Sequence, residues 1–241
     1  MCYNLTIKAE PKELKERYNA TFENEEEHQE YYSVSGFAHP NLAVLTSEEN
    51  KIFSYKSWGL IPFWTQDNEK AKVFSNNNLN AKSETIFEKP SFNKVIRKKR
   101  CIVPVNGFFE WRDINKVKYP HYITLKDDSI FSLAGIYDNW TDKRTGIKTS
   151  TFSILTTEAN PLMAKIHNLK LRMPLILPKE KEMSWIQQDI SDEELNSLMF
   201  PFDENLMKAH TISRRITSRT ESPNDPETIK HFEYPELAFY E

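Results

Sequence analysis

Five short runs of β-branched and aromatic residues occupy the middle of the chain, and each is bounded by residues that form turns. They read "KIFSYKSWG", "RCIVPV", "HYITL", "IFSLAGIY" and "TSTFSIL". Runs of this length and composition predict strands. The helices predicted around them show no regular βαβ alternation. We therefore predict an α+β fold: a single domain over residues 1–241, built on a mostly antiparallel, barrel-like β-sheet with peripheral helices.

Local signals place the helices and one turn. Helices are predicted over residues 10–18, 91–99, 157–167 and 191–200. Ser91 is a plausible N-cap for the second helix. Ser191 with Glu194 three residues later predicts a capping box at the start of the last helix. The run "HYITLKDDSIFSLAGIY" predicts a β-hairpin that turns at residues 127–129.

Composition limits the classes of function. The 241 residues are 39% hydrophobic, which favours a globular protein, and the net charge of −3 provides no overall attraction to nucleic acid. No run approaches the roughly 18 apolar residues of a membrane span. The five glycines lack phosphate-loop spacing, and the cysteines and histidines match no metal motif. We expect no cofactor, no metal and no membrane contact. We also expect a monomer in the cytoplasm, associated with the nucleoid if the source is bacterial.

The position of one cysteine is unusual. Cys2 directly follows Met1, and initiator methionine is usually trimmed when the next side chain is small. Trimming would give Cys2 a free α-amine beside its thiol, which makes it a different reagent from an internal cysteine. Cys101, in contrast, opens an apolar strand and is predicted to be a small core residue.

Three further side chains are candidates for acid–base or anion chemistry. Glu110 in "NGFFEW" lies among aromatic residues, so it either has a raised pKa or is a surface glutamate that alternates out of its strand. His167 lies near a predicted helix end, where it is an acid–base group, a cap or a satisfied core residue. Arg172 stands in an apolar run and needs an anionic partner, either a carboxylate or a phosphate.

Candidates for nucleic-acid contact are spread along the chain. The polar segment "SNNNLNAKSET" contains Asn80 and Lys82, and by itself it reads as an ordinary turn region. Two basic segments, residues 94–100 and 213–219, are candidate phosphate-binding patches or plain charged faces. Most aromatic residues are expected in the core, but one or two of the five tryptophans, which include Trp58 and Trp64 in "SWGLIPFW", are candidates for stacking on bases.

In this order, "MC", "WGLIPFW", "NAKSET", "GFFEW" and "H…RMP" resemble the motifs of the SRAP family, the SOS-response-associated peptidase-like, abasic-site-processing proteins. The resemblance covers nearly the whole chain and implies a DNA-damage-response protein that binds abasic sites in single-stranded DNA. It implies that Cys2 is the nucleophile, that Asn80 positions the reacting group, and that Glu110 and His167 are acid–base residues. It implies that Lys82 and Arg172 contact DNA phosphates, and we predict Trp64 and Trp111 as further DNA contacts.

The chain departs from that family's pattern at three places. Tyr3 and Asn4 stand where family members commonly have glycine and arginine, which puts bulk and no positive charge beside the nucleophile. Lys82 replaces the usual arginine and offers a point charge in place of a bidentate fork. The segment "HNLKLRMP" has about three more residues between His167 and Arg172 than the usual motif.

The resemblance and the chemistry together predict that Cys2 forms a thiazolidine with the aldehyde of an abasic sugar, which protects the site from strand cleavage. Lyase activity and self-cleaving peptidase activity are further enzymatic expectations. Two alternatives remain at this point. One is a cysteine peptidase that uses Cys2, and the other is a non-catalytic module that binds single-stranded DNA.

Overall fold

The structure, a computed structural model, describes residues 2–239. Five α-helices occur in this range: α1 Pro11–Tyr18, α2 Asn68–Asn77, α3 Pro161–Ile166, α4 Glu182–Trp185 and α5 Asp192–Ser197. The strands in this range are β1 Asn4–Ile7, β2 Thr21–Phe22, β3 Tyr31–Ser35, β4 Asn41–Thr46, β5 Ile52–Trp58, β6 Asn80–Lys82, β7 Arg100–Val105, β8 Gly107–Ile114, β9 Val117–Leu125, β10 Phe131–Thr141, β11 Lys148–Glu158, β12 Arg172–Pro174, β13 Ile176–Leu177 and β14 Met207–Thr211.

Five strands close into a barrel. β5, β4, β7, β10 and β11 pair antiparallel in that order, and a parallel pair between β11 and β5 closes the ring at Thr151 with Ser57 and Phe152 with Trp58. Closure removes the exposed edges that an open sheet would present. The prediction of an α+β fold on a mostly antiparallel, barrel-like sheet is confirmed.

A second sheet packs against the barrel. Its strand order is β14–β9–β8–β1–β3, and every pair in it is antiparallel. Leu5, Phe108 and Ile123 of this sheet are buried in one cluster with Val103 and Leu133 of the barrel. Cys2, two residues before β1, is buried in the same cluster, so it lies in the core that the two sheets share.

The predicted hairpin at residues 127–129 is wrong. β9 pairs with β8 and β14, whereas β10 pairs with β7, β11 and β13, so the chain crosses there from one sheet to the other. The turn itself forms, since the Asp127 carboxylate accepts hydrogen bonds from the backbone N–H and the hydroxyl of Ser129. A turn signal fixes a change of direction but does not fix which strands pair afterwards.

The helix predictions are partly correct. α1 and α5 form as expected, and Ser191 with Glu194 makes the capping box. Residues 91–99 form successive turns and no α-helix. Phe92, Val95 and Ile96 are buried at helical spacing, but the backbone hydrogen bonds of this segment mix three- and four-residue turns and do not form a continuous helical ladder.

The third predicted helix is shorter than expected. Thr157 and Glu158 extend β11, and α3 starts after them, capped by Asn160, whose Oδ1 accepts from the backbone N–H of Met163. Among residues 2–239, no helix is long and apolar enough to cross a membrane.

Candidate active site

Cys2 lies two residues before the start of β1, and its side chain is fully buried in the shared core. Its Sγ lies 3.8 Å from the carbonyl oxygen of Asn4. Burial raises the pKa of the Cys2 thiol well above its usual range, and the charge of Glu110 raises it further. The thiol is therefore protonated at neutral pH and needs a base before it can act as a nucleophile.

Asn80 holds the backbone of Cys2. It is the first residue of β6, which pairs with β11 opposite Ile154. Its Nδ2 donates to the carbonyl oxygen of Cys2 at 2.9 Å. Its Oδ1 is buried and accepts no hydrogen bond from any residue that the structure describes. Buried amide oxygens are usually paired, so this atom is an open acceptor beside the Cys2 backbone.

Glu110 is the buried acid of the site. It lies in β8, opposite His121 of β9, and only 3% of it is exposed. Burial disfavours the carboxylate and raises the pKa of Glu110 to about 7. Near neutral pH the side chain is therefore present in both protonation states and can either give or accept a proton.

His167 completes the group at the C-terminal end of α3. Its Nδ1 lies 2.8 Å from the carbonyl oxygen of Arg172, which can only accept, so Nδ1 carries the proton of the neutral ring. Its Nε2 then faces Glu110, with 3.6 Å between Nε2 and Oε2. Burial lowers the pKa of His167 to about 4. The pKa values of the two groups are therefore in the reverse of their usual order, and a proton that enters this pair resides on the Glu110 carboxyl group and not on the His167 imidazole.

The structure thus brings together the four residues predicted to be catalytic. Cys2 contacts Asn80 through its carbonyl and Glu110 through electrostatic interaction, and Glu110 faces His167. In the part of the chain that the structure describes, no cluster of three or more His, Cys, Asp or Glu side chains is arranged to hold a metal ion.

The two predicted phosphate contacts differ in availability. Lys82 ends β6 and is exposed. Arg172 starts β12, and its guanidinium is held by the carboxylate of Glu84 at 2.5 Å and by the carbonyl oxygen of Thr156 at 2.6 Å. The anionic partner of Arg172 within the protein is therefore a carboxylate, and a phosphate would have to displace or share it.

The two predicted tryptophans lie in different surroundings. Trp64 is 41% exposed and packs edge-to-face with Phe74 of α2, and its loop is held to β10 by Asp138, whose carboxylate accepts from the backbone N–H of Phe63. Trp111 follows Glu110 in β8 and packs, half-buried, against the cluster that contains Phe109. Trp64 is thus more exposed than Trp111, whereas Trp58 is fully buried and is not available to a base.

The basic segment 94–100 is not an open patch. Arg97 forms an ion pair with Asp192, and Lys99 forms one with Asp138. Arg100 is fully buried and donates to backbone carbonyl oxygens, among them that of Trp185 at 2.7 Å. Of the two alternatives for this segment, these contacts favour a charged face over a phosphate-binding patch for these three residues.

Two residues that hold the site together were not singled out from the sequence. Glu84 and Thr156 bind the guanidinium of Arg172, whose carbonyl in turn fixes the tautomer of His167. The isolated arginine indicated that an anionic partner exists, and Glu84 lies in the polar segment already quoted. Nothing in the sequence indicated Thr156, because its role depends on the pairing of β11 with β12.

Comparison with known proteins identifies relatives over nearly the whole chain. A sequence profile described as SOS response associated peptidase (SRAP) matches residues 1–219. Abasic site processing protein YoqW of Bacillus subtilis is 35% identical over 233 residues, which are 95% of this chain and 99% of that protein. Abasic site processing protein HMCES of Gallus gallus is 27% identical over 188 residues, 69% of this chain and 54% of that protein.

Solved structures share the fold. A crystal structure of a protein from Bacteroides thetaiotaomicron is 42% identical, with a TM-score of 0.91, and the match covers 96% of this chain and 100% of that one. A protein from Bordetella bronchiseptica has a TM-score of 0.75 at 20% identity, over 88% of this chain and 100% of that one. The second likeness concerns the fold alone.

Proposed function

Because the chain belongs to the SOS response associated peptidase (SRAP) family, we propose that it processes abasic sites in single-stranded DNA by forming a covalent thiazolidine through Cys2. Relatives that match almost the whole chain bear the name abasic site processing protein. The observation that carries the proposal is the hydrogen bond from Asn80 to the carbonyl of Cys2, which holds that residue beside the buried pair of Glu110 and His167.

The reaction requires that Cys2 be the N-terminal residue. Met1, whose removal would achieve this, lies outside the described residues. The free α-amine condenses with the aldehyde of the open sugar to give an imine and one water molecule. The thiol proton then passes to a base, and the sulfur adds to the carbon of the protonated imine, whose nitrogen becomes a neutral amine; no electrons are gained or lost. The product is a five-membered ring of N, Cα, Cβ, S and the sugar carbon.

Ring closure explains the protection of the DNA strand. An imine at the sugar carbon withdraws electrons and promotes β-elimination, which cleaves the strand. The thiazolidine carbon is saturated, so this path closes once the sulfur has added. Lyase activity is then the consequence of an imine that persists, and we propose that it increases when the thiol is absent.

We assign to Glu110 both proton transfers that the reaction needs. In its neutral form it protonates the hydroxyl of the carbinolamine, which then leaves as water. In its charged form it accepts the proton of the Cys2 thiol, whose raised pKa keeps that thiol neutral until a base acts. One carboxyl group with a pKa of about 7 serves both steps, because the first step leaves it in the form that the second requires.

His167 and Asn80 support these transfers. The unprotonated Nε2 of His167 faces the Glu110 carboxyl and can accept a hydrogen bond from its neutral form, directly or through water. The open Oδ1 of Asn80 offers an acceptor to the amine or hydroxyl that forms next to the Cys2 backbone. Both residues act through position, since neither is charged at neutral pH.

DNA contacts are proposed at the rim of this site. Lys82 is exposed and lies two residues after Asn80 in β6, so it is available to a phosphate. The guanidinium of Arg172 forms an ion pair with Glu84, so a phosphate would have to share the guanidinium with Glu84 or displace Glu84 from it. Trp64, which is 41% exposed, is proposed to stack on a base, and the partly exposed Trp111 is proposed to contact the strand.

The geometry disfavours a cysteine peptidase of the thiolate–imidazolium type. Such an enzyme needs a thiol whose pKa is lowered by an adjacent histidine. Here burial raises the pKa of Cys2, and the two nitrogens of His167 are directed to the carbonyl of Arg172 and to Glu110. The third possibility, a module that only binds DNA, makes no use of the buried acid.

The direct test is a denaturing gel. Full-length protein, shown by intact mass to lack Met1, is mixed with a single-stranded oligonucleotide that carries one abasic site. A matched oligonucleotide without the lesion serves as the control. We expect a shifted band with the abasic strand only, stable to heat and detergent. Non-covalent binding without such a band would support the binding module and overturn the proposal.

The pH dependence of adduct formation tests Glu110. The α-amine, with a pKa of about 7.7–8.0, must be unprotonated, so the rate falls on the acid side. Glu110 must be protonated to expel water, so the rate also falls above its pKa of about 7. We therefore expect the maximum between about pH 7 and pH 8.

Glu110→Gln is expected to slow adduct formation about 100-fold or more and to abolish the fall on the alkaline side, because glutamine does not ionise. Rates are measured from about pH 6 to pH 9 on denaturing gels. Glu16→Gln on the exposed face of α1 is the matched control. A variant Glu110→Gln that keeps both limbs of the profile would assign Glu110 a structural role.

A further inference from the structure

The turn that joins His167 to Arg172 presents apolar side chains to solvent. Residues 168–171 read "NLKL", and they include the extra residues noted above. Leu169 is 66% exposed and Leu171 is 53% exposed, with Lys170 between them. Single exposed leucines are ordinary, but two of them flanking a cation on one tight turn beside the candidate active site form a distinct surface.

Leu171 has an unfavourable backbone conformation. Its φ is 51°, in the left-handed region. The other non-glycine residues with positive φ in the described range are all polar: Asn19, His39, Asn115, Lys116, Asp128 and Asp189. Asparagine and aspartate tolerate this region because their side chains form local hydrogen bonds, whereas leucine gains nothing from it. A leucine at such a position motivates the hypothesis that its side chain has a functional role.

The turn is held on both sides. Asn168 makes two hydrogen bonds with Asp113 at the end of β8: its Nδ2 donates to the carbonyl at 2.7 Å, and its Oδ1 accepts from the backbone N–H at 3.0 Å. Leu171 donates to the carbonyl of His167 at 2.9 Å and accepts from Ala159 at 3.0 Å. The two leucines are therefore presented in a fixed place.

That place is next to the reacting groups. His167 and Arg172 flank the turn, and Asp113 follows Glu110 by three residues, or about 10 Å along the strand. Lys170 lies close enough to His167 for its charge to act on the imidazole. A sugar that reaches Cys2 and Glu110 therefore has its neighbouring nucleotides within reach of this turn.

We propose that residues 168–171 bind the bases that flank an abasic sugar, with Leu169 and Leu171 packing on exposed base faces and Lys170 contacting a phosphate. The missing base leaves its neighbours without a stacking partner, and apolar side chains are the groups that proteins insert at such gaps. This inference rests on the proposed function and adds to it a recognition element that acts before the covalent step.

The contribution of residues 168–171 to DNA binding is measured with a probe that cannot form the covalent adduct. The probe is a single-stranded oligonucleotide with a tetrahydrofuran abasic analogue, which has no aldehyde and forms no adduct. Leu169→Ser/Leu171→Asn is expected to bind it about tenfold more weakly, because each leucine loses part of its apolar contact. The salt dependence of binding should stay unchanged. Lys170→Ala should instead lower the salt slope by about 0.7, the value for one phosphate on a single strand.

The control is Ile147→Ser. Ile147 is 64% exposed, which matches Leu169, and it precedes β11. Arg172 pairs with Glu158 at the other end of β11, eleven residues or about 35 Å along the strand. Binding by this variant should equal that of the wild type.

The single substitution Leu171→Asn distinguishes a role of this side chain in DNA binding from a role in folding. Because asparagine accepts the left-handed conformation, Leu171→Asn alone should leave the melting temperature equal to that of the wild type or raise it by about 2 °C. Weaker binding by a protein that is at least as stable supports the proposal. A lower melting temperature with unchanged binding shows that Leu171 serves the fold and overturns it.

The two proposals fail differently. If the wild type forms the adduct with a true abasic strand but the double variant binds the analogue as tightly as the wild type, only this inference is wrong. If the wild type neither binds the analogue nor forms an adduct, the proposed function is wrong and this inference falls with it.

Discussion

Cys2→Ala is expected to abolish the adduct that survives denaturation, while Cys101→Ala leaves it intact. Both thiols are fully buried and both have raised pKa values, so burial does not distinguish them. The α-amine does. Cys101 lies in β7 with an amide nitrogen and packs beside Gly135, whereas Cys2 alone can offer an amine and a thiol to one aldehyde.

Sodium borohydride distinguishes an imine from a thiazolidine in this comparison. After removal of Met1, Cys2→Ala still has a free α-amine, so it still forms an imine with the abasic sugar. The reductant converts that imine into a stable secondary amine. We therefore expect a band from Cys2→Ala only when borohydride is present, and more strand cleavage than with the wild type when it is absent. Both variants are first checked for an unchanged melting transition.

Loss of the band from a folded Cys101→Ala variant would point to a different nucleophile. A borohydride-independent band from Cys2→Ala would exclude the thiazolidine, because that ring cannot form without the sulfur. The pattern across the two variants and the reductant thus distinguishes ring closure from attack by amine alone.

Protein that retains Met1 is expected to form no stable adduct, although it still binds single-stranded DNA. With Met1 attached, the nitrogen of Cys2 is an amide, which has no basic lone pair and cannot form an imine. The thiol alone gives only a reversible hemithioacetal. The DNA contacts proposed at Lys82, Trp64 and residues 168–171 do not involve the α-amine, so affinity for the tetrahydrofuran analogue should change little.

The comparison uses one preparation in two forms. Met1-retaining protein, verified by intact mass, is divided, and one half is treated with a methionine aminopeptidase and verified again. Each half is mixed with the abasic oligonucleotide and run on a denaturing gel. Equally fast adduct formation by both halves would overturn the thiazolidine mechanism and favour attack by a side chain, such as a lysine.

Local sequence patterns were sufficient to predict many of the strands and helices. "RCIVPV" coincides with β7, and Ser191 with Glu194 forms the capping box of α5. These features depend on residues a few positions apart, so composition and spacing suffice to predict them. The acid–base candidates Glu110 and His167 were also visible, because a carboxylate among aromatic residues and a histidine at a helix end are local patterns.

Contacts between residues that are distant in the chain could not be predicted from the sequence. The hydrogen bond from Asn80 to Cys2 spans 78 positions, and the ion pair of Arg172 with Glu84 spans 88. The sequence implied that Arg172 needed an anion but left carboxylate and phosphate equally open. The folded chain supplies the carboxylate, because β6 and β12 both pair with β11.

The pairing of strands accounts for the remaining differences. The turn at residues 127–129 was predicted correctly, yet it joins two sheets, and the barrel closes through a parallel pair between β5 and β11 that no local signal marks. Propensity and turn chemistry act over a few residues, whereas pairing depends on which apolar faces can be buried together in one core. The reactive groups of this protein are thus legible in its sequence, but their pKa values and mutual distances arise only from that shared core.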